Sequence, residues 1–202
     1  MKAHYRLFAI VVPIFLILDQ VTKYWTRATI KQGRRNDIEV IPGFFNLTHA
    51  ENPGAAWGIL AENEYRLVFF SIITLVAFVV IIGYFRKLKS NETLLAWGLS
   101  LIFSGAAGNF IDRLSPRHTV TDFLDFYASG WAEAPVRKIL GSSHWPAFNV
   151  ADACISTGVG LFVFHILFIE GRKSKSDSEQ AEPAPDEPDT ASATDADGAP
   201  TA

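Results

Sequence analysis

Four apolar stretches, at 5–25, 67–85, 93–111 and 150–169, constrain this 202-residue chain more than any other feature. Each approaches the roughly twenty helical residues that a hydrocarbon core about 30 Å thick demands. A helix apolar on every side for that length is rarely found in a soluble core. Residues 67–85 carry no charge and only Ser71 and Thr74 as aliphatic hydroxyls. Residues 93–111 end near Ser104-Gly105-Ala106-Ala107-Gly108, small enough for a neighbouring helix to come close. The first run, after Lys2 and Arg6, has the outline of a cleaved leader, yet no small-x-small cleavage site follows it. The chain goes on through Asp19-Gln20-Val21-Thr22-Lys23-Tyr24-Trp25, which stays helix-compatible and closes on an aromatic pair suited to the interface. The first span is therefore expected to be retained.

Basic residues set the orientation. Lys2 and Arg6, then Arg86, Lys87 and Lys89, then Arg172, Lys173 and Lys175 fall on one side, and the connection at 86–92 is very short. The positive-inside rule makes that side cytoplasmic, with both termini there. Arg27, Lys31, Arg34 and Arg35 on the other side are spread over a longer loop. Residues 171–202 carry three basic and eight acidic side chains, so the formal charge of −3 leaves +2 on residues 1–170. Rich in Ser, Pro, Ala, Asp and Glu, that stretch cannot bury a core and reads as a disordered acidic cytoplasmic tail. The lone Cys154 excludes an internal disulfide and reads as a buried, inert thiol.

The expected fold is thus an all-α membrane protein. Four transmembrane helices at 1–170 carry a small extracytoplasmic β-containing segment and an interfacial loop or helix. The β-containing segment is 26–65, where Asp37-Ile38-Glu39-Val40-Ile41 and Phe44-Phe45-Asn46-Leu47-Thr48 flank the turn signal Pro42-Gly43. The interfacial element is 123–148, which holds Tyr127, Trp131, Trp145 and Arg137-Lys138.

This topology gathers the polar groups at the outer ends of the spans. Asp19 and Lys23 stand at i and i+4 on one helix face, a pairing that a snorkelling ion pair would also explain. Asn52-Pro53-Gly54-Ala55-Ala56-Trp57 reads as a tight turn of small residues that lets a backbone approach closely, or simply as a loop. Asn109 and Asp112 share a helix face with Arg113 beside them, more than a helix cap needs. Asn149 and Asp152 repeat the i, i+3 spacing at the start of the fourth span. The helix dipole there favours an ionised carboxylate, while lipid and a nearby acid favour the protonated one. Asp122 lies in the connection between spans three and four and would meet Asp152 at the outer face. Two such acids can share a proton and activate water. Asp125, three residues on in a second Asp-Phe dipeptide, competes for the same part.

Other chemistries fit poorly. His49, His118 and His144 lack metal-ligand spacing, so no metal is expected. Ser104 has no base nearby. There is no phosphate-cradling loop and no basic stripe for nucleic acid. A proton-coupled transporter is the alternative, since intramembrane carboxylates also mark ion pathways. It would need polar groups across the whole bilayer, and here they stop at one level.

Asp19-Gln-Val-Thr-Lys23, Asn52-Pro-Gly-Ala-Ala-Trp57, Gly108-Asn-Phe-Ile-Asp-Arg113, Val120-Thr-Asp-Phe123 and Phe148-Asn-Val-Ala-Asp152 follow one another as in the lipoprotein signal peptidase (signal peptidase II) family, which the chain resembles over roughly residues 5–170. The resemblance implies an intramembrane aspartyl endopeptidase of the bacterial cytoplasmic membrane. Its substrate would be a diacylglyceryl-modified prolipoprotein, cut just before the lipidated cysteine. It implies Asp122 and Asp152 as the catalytic pair. Asn52, Gly54, Asn109, Asp112, Arg113 and Asn149 would line or support the site, with Asp19 and Lys23 as a supporting polar pair. The enzyme would work as a monomer among membrane lipids, without cofactor, metal or nucleic acid. The family usually has Val-Val-Asp-Phe where Thr121 stands here, and the 122–148 segment is longer than usual.

Overall fold

A computed structural model describes residues 3–54 and 65–170 of the chain. Ala55-Ala56-Trp57 and the acidic stretch 171–202 lie outside those residues. Among the described residues, four helices are long and apolar enough to cross a membrane: α1 (Ala3–Thr29), α2 (Arg66–Lys87), α3 (Thr93–Leu114) and the run Val150–Ile169. α1 and α3 extend past the apolar stretches that announce them, because their polar ends find partners inside the bundle. Thr26 is buried, and Arg27 reaches Thr121 at 2.9 Å and Asp112 at 3.8 Å.

α3 is the central helix. Leu95, Gly98, Leu99, Ser100, Leu101, Ser104, Gly105, Gly108, Asn109 and Asp112 are all buried along it. A Cβ added to Gly158 would stand 2.5 Å from the Gly98 carbonyl oxygen, so the fourth span touches α3 backbone to backbone. Lipid tails are as apolar as the helices, and such close van der Waals fit, rather than water exclusion, holds membrane helices together. Toward the end of the bundle that holds the α2–α3 connection, Ile81, Phe85, Leu88, Leu95, Ala96 and Leu99 pack with Tyr5, Leu7 and Phe8 of α1.

A three-stranded antiparallel sheet, in the order β1 (Ile38–Ile41), β2 (Phe45–Asn52) and β3 (Val120–Phe126), lies at the opposite end of the bundle from the α2–α3 connection. Gly43 turns the β1–β2 hairpin at a positive φ of 78°. The third strand is new relative to the sequence reading, which places Asp122 in a connection. Its residues Val120–Phe123 are all buried, so the apolar-polar alternation of a half-exposed strand is missing. A short amphipathic helix, α4 (Glu133–Leu140), follows within the expected interfacial segment and stops at Gly141, whose φ is 74°. The fourth span opens as α5 (Val150–Phe164) and ends in a π-helical turn, His165–Glu170.

Candidate active site

The start of α5 organises the polar cluster. Asn149 is its N-cap: the side-chain Oδ1 accepts the Asp152 backbone N–H at 3.0 Å, and Asp152 Oδ2 accepts the Asn149 N–H at 3.2 Å. Two orphan amides of the first turn are thereby satisfied reciprocally. A third is taken from another helix, because Asp19 Oδ1 of α1 accepts the Ala151 N–H at 2.9 Å. The same Asn149 side chain then turns its Nδ2 outward and donates to Asp122 Oδ1 at 2.7 Å. One asparagine, fully buried, thus holds both acids.

Each acid has a second amide partner. Asp122 Oδ2 accepts from Asn52 Nδ2 at 3.1 Å, and Asp152 Oδ1 accepts from Asn109 Nδ2 at 2.8 Å. Asn52 is aimed by the turn that follows it: Gly54 N donates to Asn52 Oδ1 at 2.9 Å. Gly54 sits at φ 101°, and a Cβ there would meet the Phe70 ring at 2.7 Å, so both backbone angle and space call for glycine. Phe70 in turn lies under the Arg113 guanidinium, 4.8 Å from ring centroid to carbon. Arg113 also donates to the Asn109 carbonyl at 3.2 Å.

Beneath the acids lies a wholly buried ammonium. Lys23 Nζ stands 2.9 Å from Asp19 Oδ2, 2.8 Å from Asp112 Oδ2 and 2.9 Å from Asn109 Oδ1. Two carboxylates and one amide oxygen surround it, the company that keeps a charge in a low-dielectric interior. Gln20, not anticipated from sequence, ties Asp19 to the Gly108 carbonyl. Gly108 has no room for a Cβ because the Asp19 carboxylate fills that place.

Electrostatically Asp122 disagrees with its surroundings. Burial first, and then the negative charge of Asp152, push the Asp122 carboxyl up to about 7, against the opposing hydrogen bonds from Asn52 and Asn149. Asp122 is only 3% exposed. Its neighbour Asp125, also buried, contacts His144 Nδ1 at 2.9 Å instead. Strand alternation places Asp122 and Asp125 on opposite faces of β3.

All ten site residues expected from sequence therefore join one connected cluster, with Arg113 at its edge. Sequence reasoning missed Gln20, Arg27, His49, Glu51, Thr119 and Thr121.

Fold and cluster together define a multi-pass membrane protein with an amide-clamped acid pair at one end of its helix bundle. Residues 11–168 match the family described as signal peptidase (SPase) II. The lipoprotein signal peptidase of Geobacter metallireducens is 43% identical over 175 residues, covering 87% of this chain and 99% of that protein. Its counterpart in Coxiella burnetii is 35% identical over 161 residues, covering 79% and 89%. A solved bacterial membrane enzyme superposes with a TM-score of 0.66 at 34% identity, over 89% of this chain and 94% of its own. The chain belongs to the signal peptidase II family.

Proposed function

We propose that this protein removes signal peptides from bacterial prolipoproteins as an aspartyl peptidase, with Asp122 and Asp152 as the catalytic pair. The observation that carries the reading is the shared amide: Asn149 binds the Asp122 carboxylate and the Asp152 backbone at once. Asp122 holds the shared proton, as burial beside a second acid favours. Asp152, in the first turn of α5, is the partner that acts as the base.

The ionised Asp152 takes a proton from water as the water oxygen bonds to the scissile carbonyl carbon. Asp122 gives its proton to the carbonyl oxygen, and the tetrahedral intermediate forms. Collapse breaks the C–N bond, the leaving amine takes the proton from Asp152, and Asp122 recovers its own. Asn52, Asn109 and Asn149 keep the two carboxyls in place, while Lys23 balances Asp19 and Asp112 behind them. Arg113, held over Phe70, supplies positive charge at the rim of the cluster. The substrate is a diacylglyceryl-modified precursor cut just before its lipidated cysteine, which a peptidase reached from the membrane suits.

The basic residues beside the spans support cytoplasmic termini and a site near the outer face. Water reaches that level, and a lipid-anchored peptide stays at it. Cleavage of one lipidated precursor, followed by gel shift, tests the assignment. Asp122→Asn and Asp152→Asn should each abolish it, and Asp125→Asn should retain it. Near-normal cleavage by either of the first two variants would falsify the pair, and ion flux without cleavage would favour a carrier.

A further inference from the structure

Glu51 lies on the reverse side of the sheet from the acid pair. It pairs in register with Thr121 across β2 and β3, whereas Ala50 stands opposite Asp122. Its Oε2 accepts from Thr119 Oγ1 at 2.5 Å and its Oε1 from Thr121 Oγ1 at 3.0 Å. His49 Nε2 stands 2.9 Å from the same Oε1, and its Nδ1 is 2.7 Å from the carbonyl of Ile30, just beyond α1. Thr121 Oγ1 also accepts from Arg27 Nη1 of α1 at 2.9 Å. Thr121 is fully buried and immediately precedes Asp122.

The backbone ladder holds this stretch less firmly than usual. The β2–β3 register shifts between Leu47 and Ala50, directly before the Ala50–Asp122 pair. Such an irregularity leaves ladder bonds unmade and bends the strand. The side chains behind the sheet replace them. We propose that Glu51 is a positioning residue for the acid pair: by holding Thr119 and Thr121 from behind, it fixes β3 at the height where Asp122 meets Asn52 and Asn149. The network lies outside the acid pair itself, and the inference rests on reading Asp122 as one of that pair.

Charge around the two groups is consistent with this arrangement. Burial pushes the Glu51 carboxyl up, but the hydroxyl of Thr119, the His49 ring and the hydroxyl of Thr121 outweigh it and hold the carboxyl below its usual range. Glu51 is faced by His49 from β2 and, through Thr121, by Arg27 from α1. Asp122 is faced by Asp152 from α5, Lys23 from α1 and Arg113 from α3. Glu51 therefore acts on Asp122 through the strand and not as its charge partner.

The test compares wild type, Glu51→Ala and Glu51→Gln as full chains in lipid-detergent micelles. Two things are read: steady-state cleavage of a lipidated precursor, and the carboxyl titration of Asp122 by 13C NMR. Glu51→Ala should lower kcat about tenfold with KM within about twofold, the mark of an interaction made at the reacting groups rather than in binding. The Asp122 midpoint should fall from about 7 by about one unit or more, as the strand drops and water reaches the acid. Glu51→Gln keeps an oxygen for the threonine hydroxyls and should lose no more than about threefold in kcat. An Asp122 midpoint unchanged in Glu51→Ala overturns the proposal, as does a fall in kcat that only tracks the folded fraction. Should Glu51→Ala not fold, Thr121→Val keeps strand propensity and removes one link, and an unmoved midpoint there overturns it equally. If wild-type cleavage ignores the Asp122 titration, the acid-pair reading fails, while the NMR comparison still decides the positioning.

Discussion

Replacing Lys23 by Met exposes how much of the site depends on one buried charge. The ammonium is 0% exposed, and its two carboxylate partners, Asp19 and Asp112, are 1% and 2% exposed. Methionine fills similar space but leaves Asp19 without its cation and Asp112 with Arg27 alone, 3.8 Å away. Removing one partner of a buried ion pair costs about 3–5 kcal/mol, because the other charge stays desolvated. For a chain of this size that lowers the melting temperature on the order of 10 °C. The single cysteine provides the assay: Cys154 is 5% exposed in α5, so a thiol-reactive fluorophore reports unfolding of the full chain. The triple variant Lys23→Met/Asp19→Asn/Asp112→Asn removes all three charges, while the side-chain amide introduced in place of Asp19 still offers an oxygen to the Ala151 N–H. It should recover to within about 2 kcal/mol of wild type. Cleavage should stay low in both variants, because Asn109 Oδ1 loses the nearer of its two donors and keeps only Asn149 Nδ2 at 3.3 Å, which loosens the amide it offers Asp152. A Lys23→Met protein within about 1 kcal/mol of wild type would refute the argument, as would a triple variant no better than the single.

Three further outcomes follow from the same geometry. The Asp122 midpoint lies near 7 against 3.8 when unperturbed, so its protonated form adds stability that is complete below about 4 and lost as pH rises through about 7. Thermal scans should therefore show Asp122→Asn gaining on wild type across that window, and wild-type cleavage should decline above it. Asn149→Ala removes the α5 cap and one partner of Asp122, costing about 1–3 kcal/mol in a melting scan and about a hundredfold in kcat. Gly158→Ala places a methyl 2.5 Å from the Gly98 carbonyl and should cost about 1–3 kcal/mol in the thiol-based scan, with activity falling as α3 and α5 separate Asn109 from Asp152.

The spans and their polar ends were legible because both depend on local pattern: length and hydropathy for the helices, i, i+3 and i, i+4 spacing for Asp19 with Lys23, Asn109 with Asp112, and Asn149 with Asp152. The β1–β2 hairpin was legible through Pro42-Gly43. β3 was not, since a strand buried on both faces shows no alternation and its partner lies about seventy residues away in sequence, at Asn52–Val120. The depth of the Lys23 charge was also hidden. A lysine at a helix end usually snorkels to water, and only the packing of α1 against α3 closes it in. Glu51 and Thr121 remained silent for a third reason: each is an ordinary surface-type residue until the sheet stacks them.

α2 buries only Thr74, Ile81 and Phe85, and its N-terminal end carries Phe70, the ring that supports Arg113 and fills the space beside Gly54. A helix so sparsely attached takes its depth and tilt from the bilayer as much as from its neighbours. Its 22 residues span about 33 Å, close to one hydrocarbon thickness. The acyl chain length of the surrounding lipid thus becomes a coordinate of the site: thinner or thicker bilayers tilt α2 and slide Phe70 under Arg113. Cleavage rates in vesicles of graded chain length should pass through a maximum, and a Phe70→Ala variant should flatten it.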